Sequence, residues 1–139
     1  MSVEIAYLSI ADLVGHYQRR SLSPVEAIDA TFGRLHGVDP RINAFCRIGE
    51  EEARAAAAES ESRWRAGRPK GLLDGVPISV KDTLLAKGWP TLRGSKTVDP
   101  NQPWTEDSPP VARVREHGGI ILGKTTTPEF GWKGVTDSP

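Results

Sequence analysis

A chain of 139 residues, of which 37% are hydrophobic, is long enough for about one domain with a modest core. The 18 basic residues balance the 18 acidic ones, so nucleic acid and anionic membranes are not expected as partners. No apolar run could span a bilayer, and the N-terminus lacks a basic and then apolar signal pattern, so the sequence predicts a soluble, cytoplasmic protein.

The first 38 residues carry helical signals, and we predict two packing helices there. Apolar residues recur at helical spacing between Ser9 and Arg19. The second helix is predicted to begin at Ser23-Pro24-Val25-Glu26, where serine caps, proline suits the first turn and glutamate completes a capping box. Asp39-Pro40 is expected to end this helix, because proline is unfavourable in a helix interior. No chemistry is assigned to this helical part, 1–38.

The remainder, 42–139, alternates strand and helix signals and is predicted to begin an α/β core. Short strands are expected at 44–48, 76–81 and 119–123. Helices are expected from Glu50 to Trp64, where alanines imply close packing, and from Asp107 to His117. A strand, a helix and a strand in this order favour a βαβ crossover. The intervening loop, 82–107, has a length that is usually functional or disordered in a compact domain.

The stretch from Gly75 to Asp82 contains the main candidate for catalysis. Its apolar residues alternate after the Asp74-Gly75 turn, and the predicted strand stops at Lys81. A lysine at the mouth of a buried strand is partly desolvated, which favours the neutral amine that can accept a proton. Ser79 shares the strand face of Lys81, so the two side chains could form a hydrogen bond. The alternative, favoured by local pattern alone, is a surface cation with Asp82 as its ion partner.

The segment from Gly118 to Thr125 matches the phosphate-binding pattern G-x-x-x-x-G-K-[ST] in letters only. That motif needs a strand before its glycine loop and a helix after it. Here a helix precedes the motif, and the Ile-Ile-Leu in its middle favours a buried strand. We therefore reject nucleotide binding and expect Lys124 to be a strand-end residue.

Cysteine and histidine chemistry is not indicated. Cys46 is the only cysteine, which excludes an intrachain disulfide, and its apolar neighbours predict a small buried thiol. His16, His36 and His117 lie far apart, with no carboxylate or cysteine at ligand spacing, so neither a metal nor a cofactor is expected. The basic cluster at 63–70 is expected to be a solvated helix terminus.

Several sequence blocks, in their order and spacing, resemble the amidase signature family. The blocks are Gly75–Asp82, Gly94-Ser95, Asp107–Val111, Gly118–Thr125 and Pro128–Gly131, with a similar segment at 42–45. The resemblance covers nearly the whole chain. It implies that residues 1–139 form the N-terminal part of one amidase domain. Its α/β fold would place N-terminal helices before the first strands of a mixed sheet with flanking helices, as an incomplete amidase-signature fold.

The resemblance implies a hydrolase that cleaves a carboxamide, its small-molecule substrate, to a carboxylate and an amine or ammonia. The family uses a serine nucleophile, a second serine held by a cis peptide bond, and a lysine. Lys81 falls on that lysine and would act as the base on the bridging serine. Backbone amides of a loop rich in glycine and serine would hold the oxyanion. Ser79 and Asp82 are weaker candidates, which would assist by hydrogen bonding the amine.

The two family serines follow the segment that 131–139 resembles, and this chain has no glycine-flanked serine pair. The sequence therefore predicts a fragment or truncated product that carries Lys81 alone and is inactive by itself. The alternative is a partner-binding subunit or another non-catalytic remnant. A lysine enzyme that forms a Schiff base is a third hypothesis, which no cofactor-binding feature supports. Since three strands are few, exposed sheet edges are expected to favour self-association.

Overall fold

A three-stranded mixed sheet lies at the centre of the structure, a computed structural model that describes residues 5–137 and 139. In chain order the elements are helix α1 (Ile10–Arg19), helix α2 (Pro24–Ile42), strand β1 (Phe45–Ile48), helix α3 (Glu50–Arg65), strand β2 (Pro77–Lys81), helix α4 (Pro109–Glu116), strand β3 (Ile120–Thr125) and a 3₁₀ turn (Glu129–Gly131). The strand order is β1-β3-β2, with β2 parallel and β1 antiparallel to β3. The predicted α/β class and βαβ order are therefore confirmed.

Local capping signals fix where the first two helices begin. Ser9 precedes α1, and its hydroxyl accepts a hydrogen bond from the backbone N–H of Asp12 at 3.2 Å. Ser23 and Glu26 form the predicted capping box, in which each side chain accepts from the other residue's backbone N–H, at 3.1 and 2.8 Å. These two helix starts could be predicted because each depends on residues only three apart.

The predicted end of the second helix was wrong, since α2 continues through Pro40 to Ile42. Proline this close to the C-terminus removes only one helical hydrogen bond. Asp39 closes the helix instead. Its backbone carbonyl accepts from the N–H of Asn43, which has left-handed backbone (φ 49°), and its carboxylate accepts from the N–H groups of Ala44 and Phe45.

Strand β3 is covered on both faces, so five of its six residues are buried. Ile120 and Leu122 face a core formed with α2 and α3, whereas Ile121 points to the opposite face, as strand alternation requires. The alanines of α3 allow this close approach. Ala53 and Ala57 are buried in the core that contains Ile120 and Leu122, which confirms the close packing predicted for that helix.

The glycines of the rejected phosphate-binding pattern have packing roles. Gly118 has left-handed backbone (φ 83°) at the end of α4, and a side chain there would lie 2.8 Å from the Cα of Asp74. A side chain at Gly123 would collide with the carbonyl oxygen of Arg47 on β1. Because Ile120–Thr125 is a strand, the helix that a phosphate loop requires is absent from this position.

The long segment between β2 and α4 is ordered by its own buried side chains. Ala86 and Trp89 pack with Val80 and Ile121 on one face of the sheet, and the hydroxyl-bearing Thr91 is fully buried. The segment therefore belongs to the core. None of the helices in the described ranges is both long and apolar enough to cross a lipid bilayer.

Candidate functional site

Lys81 is the last residue of β2, and its side chain is exposed. Ser79, two residues earlier, is exposed as well, while Val80 between them is buried in the core on the opposite face. Within residues 5–137, no hydrogen bond joins Ser79 to Lys81 and no carboxylate forms an ion pair with Lys81. Lys81 pairs in register with Thr125 of β3, so the carboxyl ends of the two parallel strands adjoin.

The ion partner of Asp82 is Lys124, although Lys81 is its neighbour in the chain. Asp82 is only 4% exposed, and its Oδ1 lies 3.0 Å from the Nζ of Lys124, which is completely buried. The same Nζ donates to the carbonyl oxygen of Leu84 at 2.9 Å and to Oγ1 of Thr91 at 2.7 Å. All three ammonium hydrogens of Lys124 therefore have acceptors. The expected pairing of Asp82 with Lys81 is not found.

The second oxygen of Asp82 holds a part of the long loop. Its Oδ2 accepts from the backbone N–H of Arg93 at 3.0 Å, and the carbonyl oxygen of Arg93 accepts from the N–H of Phe130 at 2.8 Å. Nearby, Oγ of Ser95 donates to Glu129 at 2.6 Å. Three of the sequence blocks that carry the family resemblance thus meet beside the ends of β2 and β3.

An open groove of about 800 Å³ lies beside this network. Asp82 and Ser95 line it together with Arg47 and Cys46 of the edge strand β1. Lys81 and Ser79 are not among its lining residues; Ser79 instead lines a separate cavity of about 300 Å³. The groove is therefore distinct from the surface on which the two predicted site residues lie.

The prediction of a buried thiol at Cys46 was wrong, since its side chain is exposed. Side chains alternate along β1, and the partly buried Phe45 takes the inward position. Sγ of Cys46 donates a weak hydrogen bond to the carbonyl oxygen of Lys124 at 3.4 Å. Partial burial and the nearby charge of Asp82 raise the pKa of the Cys46 thiol, which opposes formation of a reactive thiolate.

A second buried carboxylate, Asp74, fixes the turn before β2. Asp74 is completely buried and accepts two hydrogen bonds from the guanidinium of Arg63, at 2.7 and 2.9 Å, and one from the backbone N–H of Lys70 at 2.6 Å. Burial alone would raise the pKa of Asp74, but these hydrogen bonds outweigh it and hold the pKa below its usual value. Arg63 thus points inward, which corrects the prediction of a purely solvated basic cluster.

Tyr17 also supports this turn. Its hydroxyl is buried and donates to the carbonyl oxygen of Gly75 at 3.0 Å. Burial and the adjacent Asp74 charge raise the pKa of Tyr17, so the phenol stays protonated. Gly75 has left-handed backbone (φ 86°), and a side chain there would lie 2.9 Å from Pro24. The start of the strand that ends at Lys81 is thereby held by helices α1 and α3.

Histidines and carboxylates do not cluster into a recognisable metal-binding group among the described residues. His36 forms an ion pair with Glu50 at 3.0 Å, and His16 contacts the hydroxyl of Ser21.

Comparison with known proteins adds the family. The model of the family described as amidase matches residues 26–139. The chain belongs to the amidase family. It is 37% identical over 132 residues to an acylamidase of Rhodococcus erythropolis, across 95% of this chain and 28% of that relative. A glutamyl-tRNA(Gln) amidotransferase protein of Salinispora tropica is 40% identical to it over 134 residues, across 96% of this chain and 27% of that relative.

Among solved structures, this member of the amidase family is similar to a bacterial aryl acylamidase of the amidase signature enzymes. The TM-score is 0.89 at 29% identity, across 96% of this chain and 28% of that chain. The predicted family and amidase-signature fold are therefore confirmed. The chain spans little more than a quarter of the length of the relatives it matches.

Proposed function

We propose that this chain is the lysine-bearing part of an amidase-type hydrolase and that Lys81 is its base. One observation carries the proposal. In a chain of the amidase family, Lys81 is the exposed last residue of a strand whose carboxyl end adjoins that of its parallel neighbour. Ligand sites of open α/β sheets lie outside the carboxyl ends of the strands. A lysine at that edge is placed to reach a substrate-bearing surface.

The proposed reaction cleaves the C–N bond of a carboxamide. The neutral amine of Lys81 takes the proton of a bridging serine, which takes the proton of the nucleophilic serine as that oxygen attacks the carbonyl carbon. The proton then goes to the leaving nitrogen, which departs as amine or ammonia, and water releases the carboxylate from the acyl-enzyme. By the family resemblance, both serines and the oxyanion-binding backbone amides come from a segment outside this chain.

The two weaker candidates have different surroundings. Ser79 is exposed beside Lys81 and is proposed to hydrogen bond its amine. Both oxygens of Asp82 are engaged, by Lys124 and by the N–H of Arg93, so we propose that it acts on the shape of the strand end.

A partner-binding subunit without catalysis is the second candidate. In the described part of the chain, β1 and β2 are both edge strands, each paired on one side only. Unpaired edges are templates for another strand, so a partner polypeptide could complete the sheet.

An amide-hydrolysis assay separates the two candidates. The 139-residue chain and the polypeptide encoded by its reading frame beyond Pro139 are each given an acylanilide and a simple carboxamide. We expect the second polypeptide to release aniline or ammonia, and its Lys81→Ala variant to release neither. The exposed Lys87, replaced by alanine, is the matched control. Unchanged hydrolysis in Lys81→Ala would reject the proposal, and no hydrolysis by either wild-type polypeptide would favour the partner-binding role.

A further inference from the structure

Lys124 is a fully buried cation that the proposed reaction does not use. Burying an ammonium is costly unless it is paired and its hydrogens are all bonded. Here Asp82, Leu84 and Thr91 supply the three acceptors, and two of these residues lie in the loop that follows β2. The lysine therefore joins the central strand to the first part of that loop.

The contacts continue from this pair to the far end of the loop and beyond β3. Asp82 accepts from the N–H of Arg93, and Arg93 accepts from the N–H of Phe130. Arg93 and Phe130 both have left-handed backbone, with φ of 56° and 51°. Non-glycine residues adopt that conformation rarely and at a cost, so the surrounding contacts must hold them there.

We propose that the buried Lys124–Asp82 pair is a positioning element, which fixes the Arg93 segment and the Phe130 turn against the strand end that carries Lys81. Asp82 follows Lys81 directly, and its own N–H donates to the carbonyl oxygen of Thr125 at 2.9 Å. Through this one residue the end of β2 is tied to β3 and to the long loop. The role of the pair in catalysis rests on the proposed function, but its role in positioning does not.

The test separates positioning from general stability. Removing one partner leaves a buried charge, so Lys124→Met alone is expected to unfold the chain. Asp82→Leu combined with Lys124→Met replaces the pair by apolar groups, which can preserve the fold but cannot accept the N–H of Arg93. Asp74→Asn is the matched control, because Asp74 is a buried carboxylate at the opposite end of β2.

Amide hydrogen exchange of the 139-residue chain is the primary measurement. In the double variant we expect exchange at Arg93 and Phe130 to accelerate about tenfold or more relative to Ile121, the loss of roughly one hydrogen bond. In Asp74→Asn this ratio should be unchanged. An unchanged ratio in the double variant would overturn the proposal. Equal acceleration at all three amides would also overturn it, since the pair would then be a general stabilising contact.

A second measurement uses whichever polypeptide hydrolyses amides. The double variant should lower kcat about tenfold while KM changes little, because a displaced loop misplaces reacting groups without removing them. A normal kcat in a variant with accelerated Arg93 exchange would limit the pair to structure and reject its part in catalysis. Absence of hydrolysis by the wild-type protein would instead reject the proposed function, and the exchange ratio would then decide the positioning role alone.

Discussion

The carboxylate of Asp82 pairs with Lys124, at 3.0 Å, and leaves its chain neighbour Lys81 without a carboxylate partner among residues 5–137. The structural ion pair and the proposed base are therefore separate groups. An ion pair would hold the Lys81 amine in its charged form, whereas a base must offer a free lone pair. Placing the compensating charge on Lys124 removes that conflict.

Lys81→Ala is expected to lower amide turnover by several orders of magnitude in the polypeptide that hydrolyses amides, because members of a catalytic unit fail together. Lys81→Arg should not restore turnover, since a guanidinium stays protonated at working pH. Steady-state kinetics on an acylanilide measure both variants, with Lys87→Ala as the control. Near wild-type turnover in Lys81→Ala would remove the lysine from the mechanism.

Magnesium-ATP and magnesium-GTP are expected not to bind, because Gly118–Thr125 forms a helix end and a strand and the amine of Lys124 already has three acceptors. Isothermal titration calorimetry should show no saturable heat with either nucleotide. A micromolar Kd would contradict this if Lys124→Ala abolished it while circular dichroism showed that the variant is still folded.

Asp74→Asn is expected to destabilise the chain by about 1–3 kcal/mol near neutral pH, because the buried group loses its charged hydrogen bonds to Arg63. Glu59→Gln is the control, since Glu59 is an exposed partner of the same arginine at 3.9 Å, and it should cost under about 0.5 kcal/mol. Urea unfolding curves give both values. Equal costs would show that burial of Asp74 adds nothing.

The same carboxylate makes stability depend on pH. The pKa of Asp74 is lower in the folded chain than its usual 3.8, so the unfolded chain binds more protons in that range. The contribution is complete above pH 3.8 and is lost as the pH falls through the folded pKa. Urea titrations at successively lower pH should therefore show a steeper loss in wild type than in Asp74→Asn. Parallel losses would contradict the assignment.

Two glycine substitutions should change stability in opposite directions. A Cβ at Gly33 in α2 meets no atom within 4 Å, so Gly33→Ala should stabilise by about 0.5–1 kcal/mol through helix propensity. Gly123→Ala would push β1 away from β3 and should cost at least about 1–3 kcal/mol. Thermal melts of both variants test this, and a stabilised Gly123→Ala would show that β1 does not pack on β3.

The 139-residue chain is expected to self-associate or to be marginally stable, and not to hydrolyse amides by itself. Both described sheet edges are unpaired, and large apolar side chains such as Leu72 and Trp132 are exposed. Sedimentation at several concentrations should show a rising average mass. A monomer with a sharp cooperative melt would contradict the expectation, and Lys81-dependent hydrolysis by the chain would point to a nucleophile within it, with Ser79 the first to replace.

Features that depend on neighbouring residues were predictable from the sequence. The capping box at Ser23, the helix end at Gly118 and the buried strand at 120–122 each follow from a few adjacent side chains. The rejection of the phosphate loop followed from the same local rules. Blocks of residues in their order and spacing gave the family and, with it, the choice of Lys81 from all the lysines.

Tertiary structure alone decided which charged groups meet. Asp82 has two lysines within its reach by chain or by fold, and Lys124 takes the contact because the parallel pairing of β2 and β3 brings their ends together. Arg63 turns inward for the same kind of reason, since Asp74 is buried against α3. A buried charge is stable only where several partners converge from distant parts of the chain. No local pattern contains that convergence, so only the packed fold determines it.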